Sequence, residues 1–172
     1  MTIAILTISD RCSQGQAIDG SGPALAELCQ RSLAASVTTR ACVPDEIPAI
    51  QQVLRTWCLE LTPRPDLILT TGGTGLSPRD VTPEATREIL ERFHPGLLEL
   101  ARLRCLPKTP RAFLSRGEAG TLGRTLIINL PGSPRGACEY LEALVDVLPH
   151  AIMMLRGENL DHASAPTEHP QP

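Results

Sequence analysis

An apolar run, Leu67-Ile68-Leu69, leads through Thr70 into Thr71-Gly72-Gly73-Thr74-Gly75. This is the pattern of a buried strand that ends in a loop almost free of side-chain bulk. Such a loop lets a phosphate approach bare backbone N–H groups closely. The chain continues through Leu76-Ser77-Pro78-Arg79-Asp80-Val81 to Thr82-Pro83-Glu84. Thr82 is expected to N-cap a helix whose first position Pro83 fills. Strand, glycine loop, charged pair and helix, in that order, put a pocket at the carboxyl end of a strand, where ligands bind in open α/β sheets. The loop is not a Walker A loop, since no Gly-Lys-Ser/Thr follows. It is not the dinucleotide fingerprint, since Gly-x-Gly-x-x-Gly is missing. Taken alone, it is equally a plain turn after a strand.

The rest of the chain repeats the strand-then-helix order. Ile3 to Ile8 is a β-branched apolar run, and Val37 to Val43 alternates as a second strand. Between them, Leu25, Leu28, Cys29 and Leu33 mark one helix face. Ile47, Ile50, Val53, Leu54, Trp57, Cys58 and Leu61 form the strongest amphipathic helix pattern. Thr82 to Glu91 and Gly96 to Arg104 read as two short helices, and residues 106 to 124 as a long irregular stretch. Thr125 to Leu130 is the last strand. Ser133 and Pro134 open a final helical segment that Pro149 should kink or split. Four strands alternating with helices predict an α/β fold, a three-layer α/β/α sandwich around a mostly parallel sheet. Residues 1–157 form its one domain. The polar, proline-bearing segment 158–172 is expected to be a disordered tail.

Composition limits the function classes. A net charge of −3 and only four aromatics (Trp57, Phe93, Phe113, Tyr140) argue against a nucleic-acid surface. No apolar run is long enough to span a bilayer. Six cysteines include no Cys-x-x-Cys pair, and several lie in apolar patterns as small hydrophobes. A reducing compartment suits them. No charged leader and apolar segment precede Ile3, so a signal peptide is not expected and the setting reads as cytoplasmic.

Four strands carry polar or glycine-rich residues at their carboxyl ends: Ser9-Asp10-Arg11, Asp45-Glu46, Thr71 to Asp80, and Asn129 to Ser133. A parallel sheet gathers those ends on one edge. The set suits a phosphorylated ligand and a metal ion. Asp45 sits where an N-cap is expected, so it has a structural and a functional reading. Asp80 is left without a capping duty, because Thr82 takes that role. A carboxylate beside a phosphate site repels the ligand unless a cation intervenes, which points to Mg²⁺. Arg79 pairs with Asp80 or is solvated, and Asp10-Arg11 reads as a surface ion pair. Ser115 and Arg116 reach an anion or form loop surface.

The motifs Thr7-Ile8-Ser9-Asp10, Pro44-Asp45-Glu46, Leu67 through Gly75, Pro78-Arg79-Asp80-Val81-Thr82-Pro83-Glu84-Ala85-Thr86, Leu114-Ser115-Arg116 and Ile127-Ile128-Asn129-Leu130-Pro131-Gly132 occur here in that order. Together they resemble the molybdopterin adenylyltransferase family of the MogA type. The G domains of gephyrin and of the plant cofactor-assembly protein are similar. The resemblance covers roughly residues 3 to 157. It implies a homotrimer that adenylylates molybdopterin: a terminal phosphate on the pterin attacks the α-phosphate of ATP, and pyrophosphate leaves with Mg²⁺ assistance. A separate molybdate-insertion protein would take the product. The family's two key aspartates fall on Asp45 and Asp80, which would hold Mg²⁺. Its nucleotide loop falls on Gly72, Gly73, Thr74 and Gly75, after Thr71. Ser9, Asp10 and Arg11, then Ser115 and Arg116, then Asn129, Pro131, Gly132 and Ser133 match ligand-contacting segments. One departure is Gly20 after Asp19, where family members often carry a basic residue. The long match through Pro78 to Thr86 and Leu114 to Arg116 favours the catalytic branch over the MoaB-type paralogues. A carrier that binds molybdopterin without chemistry and a scaffold are the competing readings.

Overall fold

The computed structural model describes residues 1–158; the expected tail beyond Glu158 lies outside them. Six strands form one sheet: β1 (Thr2–Ile8), β2 (Ser36–Val43), β3 (Leu67–Thr71), β4 (Arg92–Phe93), β5 (Ala119–Leu122) and β6 (Thr125–Leu130). Their order is β2-β1-β3-β6-β5-β4. The four expected strands pair in parallel, with Ile5 opposite Arg40 on one side and Leu69 on the other, and Leu69 opposite Ile128. The two additional strands are antiparallel. Chain order reverses about β1, which makes the β1/β3 boundary the switch point of the sheet.

Alternation along the strands divides the core. Ile3 and Ile5 of β1 point to one face with Leu67, Leu69 and Ile128. There they meet α2 (Ser21–Leu33), α5 (Pro95–Cys105), α6 (Pro134–Glu142) and α7 (Leu148–Arg156). Ala4, Leu6 and Ile8 point to the other with Ile68 and Ile127, under α3 (Ile47–Leu59) and α4 (Thr82–Arg87). The result is the three-layer sandwich. A short helix, α1 (Asp10–Ser13), follows β1 directly. Cys29 and Cys58 are fully buried. Burial pushes both thiols up to about 12, so they act as small hydrophobes rather than nucleophiles.

Two expectations need correction, and a third is narrowed to one of its two outcomes. The stretch 106–124 is not irregular throughout. It holds a 3₁₀ turn, Pro110–Leu114, and β5, which returns into β6 through the two-residue connection Gly123-Arg124. Ala119–Leu122 is too short and too poor in β-branched residues to signal a strand. The helix from Thr82 stops at Arg87 instead of Glu91, because Glu91 N–H already bonds Thr121 of β5 at 2.9 Å. Of the two outcomes expected at Pro149, the last helical segment takes the split. α6 ends at Glu142, and Pro149 sits in the first turn of α7, where its missing N–H leaves no carbonyl unpaired.

One buried polar knot ties the sheet to its helical layer. Asn129 of β6 is 0% exposed. Its Nδ2 donates to Thr70 Oγ1 at 2.9 Å and to Thr86 Oγ1 at 3.0 Å, and its Oδ1 accepts from Glu118 N at 3.0 Å. Strands β3 and β6, helix α4 and the approach to β5 thus meet at one amide. Asn129→Ala leaves two hydroxyls and an N–H without partners, at about 1–3 kcal/mol for each group that stays unpaired. The expected loss is about 3 kcal/mol, or roughly 6–12 °C in Tm. Thermal unfolding of the variant checks this.

Candidate active site

The carboxyl ends of β1, β2, β3 and β6 open onto one edge, and the glycine loop crosses its centre. Gly72 has φ +106°, and a Cβ there would collide with the carbonyl oxygen of Ile8 at the end of β1. On the other side, a Cβ on Gly132 would lie 3.0 Å from the Gly72 Cα. Gly72 N donates to Leu130 O at 3.3 Å, and Thr71 Oγ1 donates to Pro131 O at 2.7 Å. The loop therefore lies against both neighbouring strand ends. The amides of Gly73, Thr74 and Gly75 have no protein acceptor among the described residues.

Two adjoining cavities flank this loop. The first, about 370 Å³, is lined by Gly73, Thr74, Gly75, Asp80, Arg111, Ala112, Leu114, Ser115, Pro131, Gly132, Ser133 and Tyr140. The second, about 390 Å³, is lined by Thr7, Ile8, Ser9, Cys12, Ile18, Asp19, Gly20, Ser21, Asp45, Thr71, Gly72, Gly73, Asp80, Gly132 and Pro134. Gly73, Asp80 and Gly132 belong to both. Asp45 and Asp80, expected as a pair, thus meet in the second cavity.

The carboxylates have different partners from those the sequence suggested. Asp45 is not an N-cap: α3 starts after Glu46, with no side-chain cap. Asp45 instead exchanges bonds with Asp10. Asp10 N donates to Asp45 Oδ2, and Asp45 N to Asp10 Oδ1, each at 3.0 Å. Burial holds the Asp45 carboxyl above the usual aspartate range. The charges of Asp10 and Asp80 add to this, and the Asp10 amide works against it. Asp10 forms no pair with Arg11. Its carboxylate takes a bidentate bond from Arg79, Nε to Oδ2 at 3.1 Å and Nη2 to Oδ1 at 2.9 Å, which holds its pKa low. Arg79 is therefore paired neither with Asp80 nor with solvent alone. Thr82 is not the N-cap of α4 but its first residue. Asp80 does have a local duty, accepting from Ser77 N at 3.1 Å.

Other expected site residues divide in the same way. Ser9 caps α1 by accepting from Cys12 N at 3.3 Å, and its residue lines the second cavity. Ser115 reaches the first cavity and donates to Thr74 Oγ1 at 3.3 Å. Ser133 caps α6 through Gly136 N at 3.1 Å. Arg11 is exposed, and Arg11, Asp10, Arg116 and Asn129 line neither cavity. Arg116 is a staple under the loop: it pairs with Glu84 and donates to Gly75 O and Asp80 O, each at 2.8 Å. Asn129 is consumed by the buried knot. Sequence reasoning missed Arg111, Tyr140 and Asp19. Asp19 accepts from Ser21 N at 3.0 Å, Gly22 N at 2.9 Å and Thr7 Oγ1 at 2.7 Å. Its signal is an Asp just before Ser21-Gly22-Pro23 at a helix start. Tyr140 and Arg111 carry no such signal.

The residues fit a magnesium ion that arrives with phosphates. Among the described residues, no three His, Cys, Asp or Glu side chains converge into a self-sufficient metal cage. Thr82 Oγ1 is buried without a partner among them. Next to it, a Cβ on Gly73 would lie 2.7 Å from Asp45 Oδ1. A hydroxyl, two carboxylates and an open slot suit Mg²⁺, which keeps waters and takes one or two carboxylates plus substrate phosphates.

Residues 4–150 match the family described as "probable molybdopterin binding domain". The chain belongs to that family. It is 40% identical to the molybdopterin adenylyltransferase of Helicobacter pylori, over 90% of this chain and 88% of that protein. It is 45% identical to the molybdenum cofactor synthesis protein cinnamon of Drosophila melanogaster, over 90% of this chain but only 26% of that protein. It therefore spans about a quarter of that longer relative. The solved structure of the molybdopterin biosynthesis enzyme MoaB of Thermus thermophilus superposes with a TM-score of 0.85 at 53% identity, covering 91% of this chain and 97% of that one. The mostly parallel α/β sandwich is thus the fold of this molybdopterin-binding family.

The raised pKa of Asp45 has a stability consequence. The native state binds this proton more tightly than the unfolded chain does. Its stabilising contribution is full below the ordinary aspartate value of about 3.9 and is lost as pH rises through the higher native value. Above that window the buried charge opposes folding. Asp45→Asn keeps an oxygen for the Asp10 amide and removes the charge. Tm of the variant should exceed that of the wild type at neutral pH, with the gap shrinking as pH falls through the acid window. Paired thermal melts across pH check this.

Proposed function

We propose that this chain is a molybdopterin adenylyltransferase. In this reading the terminal phosphate of molybdopterin displaces pyrophosphate from the α-phosphate of ATP. The observation that carries it is the pair of cavities that share Gly73, Asp80 and Gly132. Two substrates lying in them would meet at that shared wall. The 40%-identical relative of similar length, itself named a molybdopterin adenylyltransferase, supports the same chemistry.

The second cavity carries Asp19, Asp45 and Asp80 and no lysine or arginine. A bare triphosphate would be repelled there, whereas a triphosphate with its cation would not. Asp45 and Asp80 would hold the Mg²⁺, which supplies charge neutralisation on the phosphates as the pyrophosphate departs. The amides of Gly73, Thr74 and Gly75 would bind phosphate oxygens close to the backbone. The reaction needs no covalent nucleophile, because the attacking phosphate is already anionic at neutral pH. The protein's part is to align two anions and lower their repulsion. Asp10 and Arg79 act through Asp45, fixing the loop that carries it. The homotrimer and a separate molybdate-insertion protein as recipient of the product complete the reading and rest on the family resemblance; the cytoplasmic setting rests on the free cysteines. No helix of the described residues is long and apolar enough to cross a membrane.

Release of pyrophosphate from ATP, Mg²⁺ and molybdopterin is the direct test. Asp80→Asn should lower turnover about 10²–10³-fold, the usual cost of losing one oriented electrostatic contact, while the fold and molybdopterin binding survive. Wild-type turnover in both Asp80→Asn and Asp45→Asn would replace catalysis with the carrier reading. Light scattering should return three chain masses, and a monomer mass would overturn the trimer.

A further inference from the structure

We infer that Arg111 holds the terminal phosphate of the pterin substrate in the first cavity, an inference that rests on the adenylyltransferase reading. The residues lining the two cavities include three carboxylates, Asp19, Asp45 and Asp80, and a single cation, Arg111. Charge divides the cavities. All three carboxylates face the second cavity. The first has only Asp80, which it shares, and Arg111. An anion that brings its own divalent cation is accommodated in the second. A phosphate monoester that brings none is accommodated where the guanidinium lies.

Neighbouring arginines are already engaged. Arg79 is spent on Asp10, and Arg116 on Glu84 and two loop carbonyls. Arg102 donates to Ser115 O at 3.0 Å. Arg111 is different. Its guanidinium is exposed and meets no acceptor among the described residues, whereas its backbone is fixed. Arg111 N donates to Thr109 Oγ1 at 3.3 Å, and the next carbonyl, Ala112 O, accepts from the buried Tyr140 hydroxyl. A rigid base with an uncommitted planar fork suits bidentate binding of a phosphate. Held there, the phosphate faces the shared wall at Gly73, Asp80 and Gly132, where the α-phosphate of the nucleotide would lie.

The test uses the full chain and two probes: a 6-alkylpterin monophosphate ester and the same pterin without its phosphate, both titrated by pterin fluorescence in the absence of ATP. Wild type should bind the phosphorylated probe more tightly. Arg111→Ala should weaken that binding roughly 10- to 100-fold, the range for a hydrogen bond to a charged group, and leave the dephosphorylated probe unchanged. Arg111→Lys should recover part of the difference. In turnover, KM for molybdopterin should rise with KM for ATP unmoved. Thermal melts should coincide with wild type, because the side chain has no protein partner to lose. If Arg111→Ala keeps the preference for the phosphorylated probe while wild type releases pyrophosphate, the role of Arg111 is overturned and the enzyme reading stands. If wild type binds neither probe and releases no pyrophosphate, both fall.

Discussion

The site depends on one close backbone approach. At Gly72 the end of β3 passes between the Ile8 carbonyl of β1 and Gly132 beyond β6. Three strand ends come within contact distance only because the middle one has no side chain. Any Cβ at Gly72 would force β1 and β3 apart at their carboxyl ends, in a backbone region that other residues rarely adopt. The cavities on either side share a wall made of this crossing. The same packing that closes the sheet therefore sets the distance between the two compartments. The glycine loop is a structural element first, and its unpaired amides follow from that.

Around this crossing, the protein separates groups that hold the loop from groups that face the cavities. Asp10 and Asp45 exchange backbone bonds between the ends of β1 and β2, and Arg79 neutralises Asp10. Arg116 grips the far limb of the loop through Gly75 and Asp80 carbonyls. Asn129 pins β3, β6 and α4 from below. The side chains of Asp10, Arg79, Arg116 and Asn129 spend their hydrogen bonds on protein, so they rigidify the frame. Asp45 and Asp80 stay turned toward the second cavity, where Asp45 is costly to charge without a cation. Among the described residues, the two cavities thus keep three carboxylates on the second and the Arg111 guanidinium on the first.

Several residues carry double readings in the sequence because capping and ligand binding use the same side chains. Asp, Ser and Thr before a helix satisfy orphan N–H groups as readily as they satisfy a ligand. Ser9 and Ser133 prove to cap helices at the cavity margin, and Asp19 accepts the first two amides of α2 from the position before its N-cap, whereas Asp45 and Thr82 do not cap. Local spacing cannot separate these cases, since the partner that claims Asp45, Asp10 at the start of α1, lies on a segment tens of residues away. The Asp10–Arg79 pair spans the two loops for the same reason.

By itself the sequence determined the parallel α/β architecture, because strand and helix periodicities are local and alternate regularly. It also determined that the glycine loop and its following aspartate lie at a strand's carboxyl end, because chain direction alone decides that. Only the tertiary structure decided that Asn129 and Arg116 serve the frame and that Arg111 faces a cavity. Whether a polar side chain meets protein or open space depends on which distant segments pack beside it. The antiparallel pair β4 and β5 was decided there too: strands of two and four residues gain their stability from the neighbour they join.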